Sequence, residues 1–68
     1  MSFFRKKFTL GDSVFFTFGN STVRSGIVQA QFSDGDLAIE LDESSYPYDR
    51  GHVLRVQRYN TTMKENGK

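Results

Sequence analysis

The sequence predicts a single small all-β domain in which four or five short antiparallel strands close into a barrel. Short runs rich in Val, Ile, Phe and Tyr recur along the 68 residues, and Gly, Asn, Asp and Ser separate them. No apolar spacing of helical period continues long enough to predict a helix. We favour a closed barrel over a flat sheet because closure removes exposed strand edges.

The first strand is predicted at 11–18 (GDSVFFTF), where Val14, Phe16 and Phe18 point to one face. Residues 19–21 (GNS) end this strand in a turn, because Gly and Asn tolerate a positive φ. The two features together predict the first half of a hairpin.

The second strand is predicted at 23–32, and it ends at an Asp-Gly hairpin signal in residues 33–36. Gly26 interrupts this strand, which predicts a bulge or a sharp bend at that position. Val28 and Ala30 share a face because side chains alternate along a strand.

The third strand at 37–41 (LAIEL) and the last strand at 53–59 (VLRVQRY) alternate between apolar and polar residues. Such alternation predicts one buried and one exposed face on each strand. The inward positions of all the strands give a predicted core of Val14, Phe16, Val28, Ile39, Leu41, Leu54 and Val56.

Between these two strands lies SSYPYDRGH, residues 44–52, which holds the only proline and the only histidine of the chain. Pro47 cannot donate to a sheet ladder and therefore suits an edge strand. Gly51 gives the following turn its conformational freedom. On this interpretation the segment is a fourth strand and the corner that follows it.

The segments GDSV, SGIV and DRGHVLRV resemble those of SH3-like small β-barrels, the group that includes KOW and Tudor modules. The resemblance covers residues 9–60 and implies an SH3-like barrel of four or five antiparallel strands. It also implies a short 3₁₀ turn before the last strand, which we expect at DRGH (49–52). Residues 1–8 then form a basic aromatic N-terminal segment, and residues 61–68 form a polar tail that we predict to be disordered.

A ligand patch is the alternative interpretation of the tyrosines in SSYPYDRGH. Tyr46 and Tyr48 lie two residues apart, so they share a face if the segment is a strand. Phe16 or Phe18 from the first strand could join them. Such a patch could stack a nucleic-acid base or surround a cation, and it resembles a Tudor cage in residue type.

Basic residues suggest a second kind of contact, with phosphate groups. Arg5, Lys6 and Lys7 are interleaved with phenylalanines in FFRKKF. The candidates to extend this basic set are Arg50, Arg55 and Arg58, of which Arg55 and Arg58 lie on opposite strand faces. This mixture suits single-stranded nucleic acid, although a net charge of +1 gives no global basic field. No apolar run approaches the roughly 20 residues of a membrane span, and MSFFRKKF is not typical of a signal peptide. We therefore predict no membrane partner.

Catalytic and metal-binding patterns are weak in this sequence. Asp49 and His52 lack a defined nucleophile beside them, and DGD (34–36) is a hairpin turn rather than a calcium loop. We therefore predict no enzymatic activity, metal or cofactor. The run Val56-Gln57-Arg58-Tyr59 is similar to the Val-Gln-Ile-Tyr pore motif of type II dihydrofolate reductases. It keeps an oligomeric pore enzyme as a remote alternative, although here the run ends the last strand.

The small size and the aromatic content predict self-association. A domain of this length buries only about 60% of the surface that its unfolded chain exposes, and it often needs additional stabilisation by disulfides, a metal or oligomerisation. The chain has no cysteine for a disulfide, whereas seven phenylalanines and three tyrosines exceed what a small core holds. We predict a cytoplasmic homo-oligomer that acts as a protein-interaction or self-assembling module, with nucleic-acid binding as the alternative. The predicted binding residues are Arg5, Lys6, Lys7, Phe16, Phe18, Tyr46, Tyr48 and Arg50.

Overall fold

The protein forms an all-β fold, seen in a computed structural model that describes residues 8–64. Its strands are β1 (Ser13–Thr17), β2 (Val23–Gln31), β3 (Leu37–Leu41), β4 (Val53–Val56) and β5 (Thr61–Met63). They form one antiparallel sheet in the order β4-β3-β2-β1-β5, and a 3₁₀ turn, η1 (Arg58–Asn60), immediately precedes β5. This arrangement is consistent with a small SH3-like barrel and confirms the predicted fold class. Within residues 8–64, no helix has the length and apolarity needed to cross a membrane.

Two boundaries near the C-terminus differ from the prediction. The 3₁₀ turn lies at Arg58–Asn60 rather than at residues 49–52, so the last predicted strand already ends at Val56. Thr61–Met63, predicted to be disordered, pair with the free edge of β1. Their polar sequence carries no periodic signal, and the pairing depends on an edge that exists only in the folded sheet. Residues 65–68 lie outside the described part of the chain.

β2 carries its bulge between Val28 and Ala30, not at Gly26. The shift moves Ala30 to an exposed position while Val28 stays in the core. Gly26 instead allows close packing, because an added Cβ would lie 2.5 Å from the carbonyl oxygen of Glu40. A glycine within a strand can mark a bulge or a close approach of two backbones, so the position of Gly26 in the sequence did not distinguish between these two roles.

The core lies on one face of the sheet and confirms the predicted set. All seven predicted residues are at least nine-tenths buried, and Leu37, which shares their alternation on β3, is buried with them. Phe8, from the end of the N-terminal segment, is also buried, while Phe18 and Tyr48 pack against the core as partly buried side chains. Period-two alternation therefore located the interior correctly.

Residues 42–52 form a compact loop instead of the predicted fourth strand and corner. Ser45 and Tyr48 face each other and exchange two backbone hydrogen bonds of 2.9 and 2.8 Å. The peptide bond between Tyr46 and Pro47, which lies between them, is cis. We refer to residues 45–48 as the Tyr46 turn.

Candidate binding site

Arg24, on β2, is buried beneath the Tyr46 turn. Only 5% of its surface is exposed, and its partner on β1 is the core residue Phe16. The Nε of Arg24 donates to Ser45 Oγ at 3.0 Å, and Nη2 donates to the Tyr46 carbonyl at 3.2 Å. Its guanidinium carbon lies 5.3 Å from the centre of the Tyr48 ring. A single side chain therefore ties the turn to the sheet.

The guanidinium of Arg24 has no acidic partner in residues 8–64, where each ion pair involves another cation. Its Nη1 is buried and has no hydrogen-bond partner among the same residues. Burying a charge without a counter-charge is costly, so the neutral acceptors and the aromatic ring must supply its compensation. Arg24 was not among the predicted site residues, although alternation from Val28 places it on the inward face.

Tyr48 joins an aromatic cluster at this end of the barrel. Its ring meets Phe18 edge to face, with ring centres 6.1 Å apart, and it lies 5.0 Å from the His52 ring. The structure thus brings together two predicted site residues, Phe18 and Tyr48. They form a packed wall against the core, however, and not an open cage.

Two predictions about the aromatic patch are wrong. Phe16 is 2% exposed, so it belongs to the core and cannot contact a ligand. Tyr46 and Tyr48 do not share a face, because the chain reverses direction between them. Tyr46 is 93% exposed at the tip of the turn, whereas Tyr48 is partly buried.

An open cleft of about 310 Å³ lies next to Phe18. We call it the Phe18 cleft. Its wall combines one aromatic ring with polar groups from β1, the β2–β3 turn, β4 and η1. The lining residues are Thr17, Phe18, Gly19, Asp36, Arg55, Gln57 and Asn60.

Arg55 fixes one wall of the Phe18 cleft. It donates from Nε to Asp36 at 2.9 Å and from Nη2 to Asp34 at 2.8 Å, while its guanidinium carbon lies 4.1 Å from the Phe32 ring centre. The backbone N–H of Asp36, and then Arg55, hold the pKa of Asp34 below its ordinary value. The hydrogen bond to Asp36 raises the pKa of Arg55. Arg55 therefore links the β2–β3 turn to β4 along this wall of the cleft.

The exposed aromatic rings within residues 8–64 divide into two groups. Phe15 and Phe32 each have a cation over the ring, from Lys64 at 5.0 Å and from Arg55 at 4.1 Å. Tyr46 and Tyr59 are 93% and 80% exposed. These two tyrosines are the best candidates for an aromatic contact with a partner, because solvent covers most of each ring.

Of the four residues in the predicted basic surface, only Arg50 lies within residues 8–64. Arg5, Lys6 and Lys7 lie outside this part of the chain. Arg24 is buried, and two more cations bind carboxylates. The exposed cations left without an acidic partner in this part are Arg50 and Arg58.

Asp49 and His52, which were considered for catalysis, take part in structural contacts. The backbone N–H of His52 donates to the Asp49 carbonyl at 3.0 Å, while the His52 ring packs on Tyr48. In the run 56–59, Val56 lies in the core, Gln57 lines the Phe18 cleft and the ring of Tyr59 is exposed. Among the described residues, no three His, Asp or Glu side chains are grouped so that they could hold a metal ion.

Comparison of the chain with protein families, with curated proteins and with solved structures gives no significant match.

Proposed function

We propose that this chain is a small non-enzymatic binding module that takes a segment of a protein partner at the Phe18 cleft. One observation carries the proposal: an open cleft of about 310 Å³ combines an aromatic wall with the side-chain amides of Gln57 and Asn60. Concave sites with one apolar surface and a few polar groups are typical of ligand binding.

The chemistry of the cleft suits a polypeptide. Side-chain amides both donate and accept, so Gln57 and Asn60 can pair with the N–H and C=O groups of a bound chain. Phe18 offers an apolar surface for one side chain of that segment. Arg55 is already held by two carboxylates, so this wall needs little ordering when a partner binds.

Single-stranded nucleic acid is the alternative ligand. It would use Arg5, Lys6, Lys7 and Arg50 for phosphates, with an exposed aromatic such as Tyr46 for a base. The net charge of the whole chain is only +1, so no global basic field favours nucleic acid, and this low charge favours a protein ligand. We also propose that the module acts in the cytoplasm, since a chain without cysteine suits a reducing compartment.

Selection from a phage library of random peptides tests the proposal. We expect peptides that bind the wild-type chain and whose affinity falls at least about fivefold with Gln57→Ala, as when one hydrogen bond is removed. Gln31→Ala is the matched control: it makes the same change at an exposed position of β2 outside the cleft. A selection without enrichment would contradict the proposal, as would peptides that bind Gln57→Ala and the wild type equally.

A further inference from the structure

The Tyr46 turn carries an exposed tyrosine side chain on a backbone that is held by hydrogen bonds. Tyr46 is 93% exposed, yet its own carbonyl oxygen is held by the buried side chain of Arg24. Two backbone hydrogen bonds between Ser45 and Tyr48 close the turn. An aromatic side chain on an ordered backbone loses little entropy on binding, and tyrosines of this kind are common binding hot spots.

The Phe18 cleft is a concave counterpart on the same chain. Its aromatic wall can pack against a tyrosine ring. The amides of Gln57 and Asn60 can accept from or donate to a phenolic hydroxyl. The cleft therefore offers an aromatic surface for the ring of an inserted tyrosine and a hydrogen-bond partner for its hydroxyl.

Both features adjoin Phe18, whose ring meets Tyr48 of the turn and also lines the cleft, while Asp36 and Gln57 extend the cleft to the far end of β3 and β4. Arg24, which holds the Tyr46 turn, pairs with Phe16 of β1 from one side. Thr61, which follows η1 and its cleft residue Asn60, pairs with Phe16 from the other side. Because the two features are neighbours, two copies that face each other with this surface can exchange tyrosines about a two-fold axis.

Arg58 beside the cleft offers a charge contact for the acidic residues that flank the Tyr46 turn, while Asp34 and Asp36 share the single charge of Arg55. Glu43 and Asp49 flank the Tyr46 turn, are exposed and have no ion pair within residues 8–64, although Arg50 offsets one of them. Arg58, in η1 beside Gln57 and Asn60, is exposed and likewise without an acidic partner in that part of the chain. Asp36, the acidic residue that lines the cleft, is bound by Arg55.

We propose that two copies of this chain associate by inserting Tyr46 of one copy into the Phe18 cleft of the other. The acidic flank of the Tyr46 turn then faces Arg58 of the second copy. This inference rests on the proposed function, because it uses the same cleft and names a second copy as its occupant.

Sedimentation equilibrium of the full chain, from micromolar to millimolar concentration, tests the proposal. We expect a wild-type dimer, and Tyr46→Ser should raise its dissociation constant at least about thirtyfold, the effect of removing a tyrosine hot spot. Asn60→Trp, which fills the cleft, should weaken the dimer in the same way. Leu10→Ser is the control: it removes a large exposed apolar side chain that belongs neither to the cleft nor to the Tyr46 turn, and the dimer should persist.

Mixing the two defective variants tests the insertion itself. Tyr46→Ser keeps an open cleft and Asn60→Trp keeps the tyrosine, so an equimolar mixture should have a higher average mass than either variant alone. A mixture without this gain would overturn the insertion, as would a monomeric wild type or a dimer that persists in Tyr46→Ser. A monomeric wild type that still selects peptides sensitive to Gln57→Ala would overturn self-association alone and leave the proposed function intact.

Discussion

The guanidinium of Arg24 donates a hydrogen bond of 3.2 Å to the main-chain carbonyl of Tyr46, which lies 22 positions further along the chain. Because Arg24 is buried in the sheet and Tyr46 is almost fully exposed, this hydrogen bond connects the interior of the barrel to the most exposed aromatic residue of the described part of the chain. The orientation of the Tyr46 turn therefore depends on the sheet and not on the loop alone.

Replacing Arg24 by Met should release the Tyr46 turn with little effect on global stability. We expect the free energy of unfolding to change by less than about 1 kcal/mol, because the removal of two hydrogen bonds is offset by the removal of a buried unpaired charge. Hydrogen exchange at the Tyr48 amide, which donates to the Ser45 carbonyl at 2.8 Å, should accelerate at least about tenfold. The Val28 amide, bonded to Asp12 at 3.0 Å, is the internal control. Unchanged exchange at Tyr48 would show that Arg24 does not hold the turn.

Replacing Gly26 by Ala should destabilise the sheet. The new methyl group would lie 2.5 Å from the Glu40 carbonyl oxygen and 2.6 Å from Ile39 Cγ2, so β2 and β3 would have to separate. We expect the free energy of unfolding to fall by about 2–3 kcal/mol, measured by urea denaturation. Gln31→Ala, at an exposed position of the same strand, should stay within about 0.5 kcal/mol of the wild type. Equal stability of the two variants would mean that the strands do not approach this closely.

Asp42 should contribute to the decrease of stability in acid. The hydroxyl of Ser25, and then Lys64, hold the pKa of Asp42 below its ordinary value. The carboxylate therefore stabilises the fold above the unfolded-state pKa of about 3.9, and this stabilisation disappears as the pH falls through the lower folded-state pKa.

Denaturation curves of Asp42→Asn from neutral to strongly acidic pH check this dependence. At neutral pH the variant should be about 1 kcal/mol less stable than the wild type, because a charged hydrogen-bond acceptor is removed. The difference should disappear in strong acid, where the wild-type carboxyl is protonated. Glu43→Gln, at an exposed neighbouring position without an ion pair in residues 8–64, should follow the wild-type curve. A constant difference at all pH values would argue against a titrating Asp42.

A fluorescence-anisotropy titration with a single-stranded oligonucleotide separates the proposed ligand from its alternative. We expect no binding at low salt. If Arg5, Lys6, Lys7 and Arg50 instead neutralise about four phosphates, the log–log slope of affinity against salt should be near −3. Changing Lys6 and Lys7 to Ala should then flatten the slope by about one unit for each phosphate that is no longer neutralised. Binding with this salt dependence would favour the nucleic-acid alternative.

The sequence predicted the interior of the barrel because alternation is a local property. Val14 and Phe16 on β1, like Ile39 and Leu41 on β3, lie two residues apart in apolar and polar alternation, and all four are buried. The same alternation also made Phe16 a poor choice as a ligand-binding residue, since an inward residue of a central strand has no access to solvent.

The candidate site was only partly predictable. Tyr46 and Tyr48 were predicted to share a face, but this assignment assumed a strand where the chain forms a turn. The Phe18 cleft combines residues from four separate elements, and no local pattern marks such a set. In the sequence, Gln57 and Asn60 are ordinary polar residues near a strand end.

The sequence by itself determined an all-β fold and its core, because strand periodicity and turn residues act over a few positions. Tertiary structure alone decided the pairing of β5 with β1 and the role of Arg24, since both depend on groups brought together from distant positions. An inward-facing arginine is costly until the Tyr46 turn closes over it and supplies acceptors. That compensation exists only in the folded chain.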